Sequence, residues 1–210
     1  MSKLDIQYRV LGTIGTNVYF LINKETRETL LVDPADNAGY ILDQCRMRDY
    51  KLVGILLTHG HFDHIYAVNE LKQSVDVPVY AYVDEEKLLG DAWMNRSSAW
   101  AQPMMLKADV LVKDREILEL AGFKIKVIHT PGHTAGSCCY YFEDEKVLIS
   151  GDTLFCESYG RTDLSTGSEA AIMRSLREIL FKLPDDVEVY PGHMDSTTIG
   201  HEKVYNPAAF

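Results

Sequence analysis

"LTHGHFDH", residues 57–64, places three of the chain's seven histidines and an aspartate within six consecutive positions. Random placement at this composition yields His-x-His-x-Asp-His with a probability of roughly 6 × 10⁻⁴. The stretch follows the apolar run Val53–Leu57 and precedes a segment with helical spacing. It reads either as a polar turn behind a strand or as the first part of a metal site, and the remaining motifs discriminate between the two.

Three further stretches repeat the design of an apolar strand followed at once by a ligand-type residue. "KVIHTPGHTAGS" presents His133, "KVLISGDTLF" presents Asp152 and "VEVYPGHMD" presents His193. A glycine precedes each of these three (Gly132, Gly151, Gly192), where the backbone needs a tight turn. Donors gathered at strand ends from distant parts of a chain are how layered folds build sites. His59 and His61, two apart in an extended loop, point the same way and can grip one ion. Asp63 and His64 stand at a helix start and turn toward another point. The resulting division gives one ion His59, His61 and His133 and a second ion Asp63, His64 and His193. Asp152 bridges the two through its two carboxylate oxygens. Each ion then keeps an open position, as catalytic ions do. The donors are all nitrogen or oxygen, so two divalent cations are expected, with Zn²⁺ first and Fe or Mn also accommodated. His129 reads as a strand-end or supporting residue and His201 as a surface residue of the tail.

The chain has 210 residues and is expected to form one domain over 1–210. Hydrophobic residues at 46% and charged residues at 25% are ordinary for a globular protein. A formal charge of −10 with scattered Lys and Arg argues against nucleic acid or an anionic membrane as partner. Neither a secretion signal nor an apolar membrane span is apparent, which points to the cytoplasm. Cys45, Cys138, Cys139 and Cys156 show no Cys-x-x-Cys spacing and read as small buried hydrophobes in a reducing compartment. Adjacent Cys138 and Cys139 must point to opposite faces of a strand. Cys156, four residues after Asp152, stands nearest the expected site.

Strand-like runs cover Val18–Ile22, Thr29–Val32, Val53–Leu57, Ile117–Leu120, Phe123–His129, Ser137–Phe142, Val147–Ser150 and Val187–Tyr190. Helical spacing covers Ala38–Arg48, Phe62–Gln73 and Glu169–Phe181. Asp84–Leu106, with Trp93, Trp100, Met104 and Met105, reads as helix and loop forming core or a lid. Many strands with interspersed helices indicate a layered α+β fold.

THGHFDH, TPGHTAGS, SGDTLF and YPGH together resemble the metallo-β-lactamase-fold hydrolases. Within that superfamily the chain is similar to the short glyoxalase II-like (hydroxyacylglutathione hydrolase-like) branch, from "GTNVYFLI" and "LVDPAD" to "TTIGHEKVYNP". The resemblance implies a four-layer αββα sandwich of the metallo-β-lactamase fold, with a dinuclear site on one edge and the ligand division drawn above. It implies no C-terminal helical substrate domain, since the chain stops at Phe210 soon after His193. Asp33 matches an acidic motif that supports the metal loop, although a turn-forming Asp-Pro reads equally well. Arg161 in "YGRTDL" corresponds to a basic position at the anionic end of glutathione thioesters, where it would bind substrate through paired hydrogen bonds. Pairing with Asp163 is the structural alternative.

The implied reaction is hydrolysis of an acyl thioester by a hydroxide held between the two ions. Asp63 would orient that hydroxide or receive its proton. A thiolate leaves with little acid assistance, which suits a site lacking an obvious acid. The rival readings are a mononuclear iron persulfide dioxygenase, which shares the Gly-Arg-Thr-Asp stretch, and a hydrolase of a lactone, β-lactam or other small ester or amide. The tail motif resembles the hydrolase branch more closely. The partner expected is a small-molecule acyl thioester. Oligomeric state is not legible at this level.

Overall fold

"TNVYFLIN", Thr16–Asn23, is buried at all eight positions. Side chains alternate along a strand, so a strand buried throughout must lie between two layers. Val18, Phe20 and Ile22 enter one core and Tyr19 and Leu21 another. The computed structural model, which describes residues 2–210, shows the layers that this strand requires.

The first sheet runs in chain order through β1 (Leu4–Leu11), β2 (Thr16–Asn23), β3 (Glu28–Val32), β4 (Lys51–Leu56), β5 (Val79–Tyr82) and β6 (Val110–Val112). It is antiparallel from β1 to β3 and parallel from β3 to β6. The second half adds β7 (Ile117–Leu120), β8 (Phe123–His129), β9 (Cys138–Phe142) and β10 (Val147–Gly151). After them come a two-stranded ribbon of β11 (Leu154–Phe155) and β12 (Ser158–Tyr159), then β13 (Glu188–Pro191) and β14 (Thr197–Thr198). The second sheet is ordered β14-β13-β10-β9-β8-β7, with β10 and β13 parallel.

Helices cover both outer faces. α1 (Ala38–Arg48), α2 (Phe62–Ile65) and α3 (Val68–Ser74) bury Ile41, Cys45, Ile65, Val68 and Leu71 against the first sheet. The short α4 (Glu86–Leu89) and α5 (Ser97–Trp100) lie between β5 and β6 in the chain. α6 (Glu169–Arg174) and α7 (Ile199–Tyr205) place Ile172 and Ile199 against Tyr141, Leu148 and Val189 of the second sheet. Between the sheets, Leu30, Val32 and Leu56 meet Ile125, Val127, Tyr140 and Ile149. Three cores between four layers make the αββα sandwich. Cys138 enters the middle core and Cys139 an outer one, and all four thiols are free. Among the described residues no helix is long and apolar enough to cross a membrane.

Two expected helices are interrupted, each where its backbone or side chain serves a motif loop. Phe62–Gln73 breaks into α2 and α3 because the Ala67 amide donates to Pro34 O (3.0 Å) instead of the preceding turn. That bond anchors the "DPAD" loop. Glu169–Phe181 stays helical only to Arg174, widens into a π-turn over Ser175–Ile179 and ends in a 3₁₀ turn. Ser175 Oγ donates to Pro131 O (2.8 Å) of the "TPGH" loop at that point. Strands β1, β5, β6 and β14, the β11–β12 ribbon and helix α7 add to the elements expected from sequence.

Candidate metal centre

The four motif loops meet on one edge of the sandwich because the backbone ties them together. Parallel pairing of β10 with β13 sets Gly151 opposite Pro191, and the Gly192 amide donates to Gly151 O (2.9 Å), so Asp152 and His193 become neighbours. The Cys138 amide donates to Thr58 O (2.9 Å), and the Asn17 amide donates to Gly192 O (2.7 Å). These bonds lace the first sheet to the second at the site. Two glycines are required. A Cβ on Gly192 would stand 2.2 Å from Asp152 Oδ1, and Gly151, at φ +51°, would drive one to 2.3 Å from Thr58 Oγ1.

All seven donors expected from sequence converge. His133 Nε2 lies 2.8 Å from His61 Nδ1 and 3.2 Å from His59 Nε2. His193 Nε2 lies 3.3 Å from Asp63 Oδ2 and 3.4 Å from His64 Nε2. Asp152 spans the two groups, with Oδ1 3.4 Å from His64 Nε2 and Oδ2 3.6 Å from His133 Nε2 and 3.5 Å from His193 Nε2. His59, His61 and His133 form one metal-competent group and Asp63, His64 and His193 another, each with donor atoms within 4.8 Å of one another.

Electrostatics separate the groups. Burial and the neighbouring imidazoles hold His59 and His61 well below the ordinary histidine value, and burial lowers His133. Neutral rings whose bare nitrogens face each other at about 3 Å need a shared cation or proton between them. Burial also opposes charge on His64, but Asp152, Asp63 and Asp33 outweigh it and push the imidazole up to about 10. His193 is raised because Asp63 and Asp152 outweigh its burial. The Asp63 carboxyl is partly buried too, yet His64 and His193 hold it well below the usual carboxylate range. His61 Nε2 and Asp152 Oδ1 are buried without hydrogen-bond partners, so the donor set has capacity that the protein itself does not use. The residues fit a pair of divalent cations.

A family model described as the metallo-beta-lactamase superfamily matches residues 11–193. The chain belongs to the metallo-β-lactamase superfamily. It is 34% identical over 193 residues to the hydroxyacylglutathione hydrolase GloC of Haemophilus influenzae, covering 89% of this chain and 90% of that one. The crystal structure of the B3 metallo-beta-lactamase BLEG-1 superposes with a TM-score of 0.92 at 37% identity, over 97% of this chain and 98% of the other. TTHA1623, solved in a di-iron-bound form, superposes at 0.84 with 32% identity, over 96% and 98%.

The orientation of three rings in this superfamily member is fixed from behind. Asp33 Oδ2 accepts from His64 Nδ1 (2.9 Å) and from Thr58 Oγ1 (2.6 Å), and Oδ1 accepts the Thr58 amide (2.8 Å). Asp33 therefore supports the metal loop, and its backbone is left-handed at φ 48°. His193 Nδ1 donates to Gly15 O (3.3 Å), and His133 Nδ1 donates to Arg161 O (2.7 Å). Each of these three rings thus turns its Nε2 to the centre.

Arg161 lines the same cleft, but its guanidinium forks Asp163 through Nε–Oδ1 and Nη2–Oδ2, both 2.7 Å. The pairing with Asp163 lies at the exposed rim. The Arg161 carbonyl touches the metal site and its side chain does not.

Glu85 was not singled out from sequence and is buried at 1% exposure. Its Oε1 accepts the Gly136 amide (2.9 Å) and the Thr134 hydroxyl, and its Oε2 accepts the Gly60 amide (3.1 Å). One carboxylate thereby fastens the His59–His61 loop to the loop after His133. Burial pushes it up to about 7 against those hydrogen bonds. "VDEEK" carries no local mark of this, because the partners lie 25 and 51 residues away.

Cys156, His201 and Glu202 form another donor group within 4.8 Å. Glu202 is satisfied by the Thr197 hydroxyl (2.6 Å), the Glu157 amide (2.9 Å) and Asn206 Nδ2 (2.7 Å). Those bonds make it a bracket joining α7 to the β11–β12 turn. His129 stacks on Tyr82 at 4.1 Å between ring centroids, away from the donors.

Proposed function

We propose that the protein is a dinuclear metal-dependent hydrolase that cleaves an acyl thioester of the hydroxyacyl-glutathione kind. The observation that carries this reading is the convergence of seven nitrogen and oxygen donors, with Asp152 facing both groups, in a cleft of about 690 Å³. The likeness to GloC supports the thioester. The donor chemistry fits Zn²⁺, and it accommodates iron or manganese equally.

Bound divalent cations supply Lewis acidity and lower the pKa of water from about 16 toward about 7. His59, His61 and His133 would hold one cation and Asp63, His64 and His193 the other, with Asp152 shared. Besides holding a cation, Asp63 would orient the attacking water or receive its proton. Asp33, Gly15 O and Arg161 O keep the rings aimed, so no reorganisation is needed at the reacting centre. Phe62, Trp100, Phe155 and Met194 give the cleft apolar walls that exclude water around the acyl group. A thiolate, whose conjugate acid has a pKa of about 8.5, leaves without a proton donor in the cleft. Four free thiols suit a reducing compartment, which supports a cytoplasmic setting.

The likeness to BLEG-1 favours a second reading, hydrolysis of a β-lactam or another small cyclic amide or ester. The test is thiol release from S-lactoylglutathione by metal-quantified protein, run beside a β-lactam, a lactone and oxygen uptake with glutathione persulfide. Thiol release that disappears on chelation and returns with metal is expected. Oxygen uptake with persulfide and no thiol release would replace the hydrolase reading with the dioxygenase one.

A further inference from the structure

We infer that Arg96 is the specificity-determining cation of the cleft, binding a carboxylate on the substrate. The inference deepens the thioesterase reading and rests on it. Arg96 lies just before α5 and lines the cleft beside His61, Phe62 and Trp100. Among the described residues its side chain makes no hydrogen bond or ion pair, and its Nε is buried with no partner. Buried guanidinium nitrogens are ordinarily paired, so a guanidinium that lines a cleft and meets no protein partner has capacity for a ligand oxygen.

The backbone at this position is held in place. Arg96 is left-handed at φ 70°, an uncommon conformation for a side-chain-bearing residue. Hydrogen bonds lie on either side. Asn95 O accepts the Phe62 amide (2.8 Å) at the start of α2, Asn95 Oδ1 accepts the Ser97 amide (2.9 Å), and Asn95 Nδ2 donates to Met104 O (2.9 Å). Arg96 is thus fixed to the same helix start that carries Asp63 and His64.

The other arginine of the cleft is neutralised. Arg161 is forked by Asp163, which leaves Arg96 as the cleft's open guanidinium in a chain of net charge −10. An anion entering against that overall charge needs a local cation, and a planar fork matches the two oxygens of a carboxylate. The carboxylate is supplied either by the thiol portion of the substrate, as in glutathione, or by the acyl portion.

Three thioesters separate these sources: S-lactoylglutathione, the S-lactoyl thioester of uncharged N-acetylcysteamine, and an S-succinyl thioester of N-acetylcysteamine. Each is assayed with wild type, Arg96→Met and Arg96→Lys at matched metal content. The Arg96→Met variant is expected to lose about 10- to 100-fold of the kcat/KM preference for a carboxylate-bearing over the uncharged substrate, mainly through KM. Arg96→Lys recovers part of it, having charge without the fork. Loss confined to S-lactoylglutathione assigns the carboxylate to the thiol portion, and loss confined to the succinyl compound assigns it to the acyl portion. An unchanged preference in both variants overturns the inference. Should wild type cleave no thioester, the reaction reading fails separately, and equilibrium binding of glutathione and its diethyl ester still decides the role of Arg96. Tighter binding of glutathione than of the diester in wild type, reduced at least about tenfold in Arg96→Met, supports it. Identical ratios in the two proteins, both for this pair and for succinate against its diethyl ester as the acyl-side probe, reject it.

Discussion

The two donor groups sit side by side yet differ in how they hold protons. His59, His61 and His133 are buried imidazoles with no carboxylate of their own except the shared Asp152, and all three are lowered below the ordinary value. Asp63, His64 and His193 carry a carboxylate within the group, and His64 also bonds Asp33. His64 is pushed up to about 10. In the metal-free protein the first group is deprotonated and ready at neutral pH, whereas His64 of the second keeps its proton. A cation must displace that proton at the second group and few or none at the first. The contrast teaches that one chain can build two donor groups of unequal proton affinity from nearly the same residue types by varying the neighbouring carboxylates.

Asp152 belongs to both groups, so its loss gives the largest effect. Asp152→Ala is expected to abolish metal-dependent hydrolysis and reduce bound metal, whereas His59→Ala also abolishes hydrolysis but leaves the second group's donors in place. Metal analysis beside the activity assay checks both. Full activity with intact metal content in Asp152→Ala would show that the two groups do not work as one centre.

Proton competition comes next. A raised histidine stabilises the metal-free fold fully below its ordinary value of about 6.5, and that contribution is lost as pH climbs toward about 10. Metal binding runs the other way. Affinity at the second group should rise about tenfold per pH unit for each proton displaced, or about a thousandfold between pH 6 and 9. The first group, already neutral, should stay nearly level over that range. Dialysis against a fixed chelator, followed by metal analysis, should therefore show half the metal leaving first as pH falls. Simultaneous loss from both would break the comparison.

Glu85 sharpens it at the level of support. It fastens Gly60 and Gly136, the loops of the three-histidine group, while Asp33 holds His64 of the other. Glu85→Gln sets an amide N–H against one of the N–H groups that the carboxylate now accepts. Metal affinity at the first group should fall about 10- to 100-fold with less change at the second, and Asp33→Asn should do the reverse. Glu85 also gives a pH signature. Its folded value near 7 lies above the ordinary 4.5, so the folded protein binds a proton that the unfolded chain has lost. Stability should decline as pH rises from about 4.5 to about 7 and level off above, and Glu85→Gln should flatten that slope in chemical denaturation.

These supports were the part of the site hidden from sequence. The donors are visible because each follows an apolar strand and, in three cases, a glycine, so strand pairing alone brings them to one edge. The layered architecture is visible for the same reason, in runs such as Val18–Ile22 that are apolar on both faces. Glu85 and Arg96 lie in the stretch read as helix and loop, where no periodicity marks an inward residue. Their roles arise from contacts across the fold. The breaks after Ile65 and Arg174 escaped for a related cause, since they serve Pro34 and Pro131, loops that helical spacing does not register.

Arg161 gives the smallest and most discriminating change. Its side chain pairs with Asp163 at the exposed rim, and its carbonyl accepts the His133 ring proton. If backbone and side chain act separately, Asp163→Ala frees the guanidinium without disturbing His133. Exposed pairs contribute little to stability, so the melting temperature should stay within experimental scatter. Metal content should hold at both groups, while KM for a carboxylate-bearing substrate should fall a few-fold as a second cation becomes available beside Arg96. Selective metal loss from the three-histidine group would mean instead that the fork positions the carbonyl. In that event the first group depends on a rim ion pair, and raising the ionic strength should weaken it more than the second.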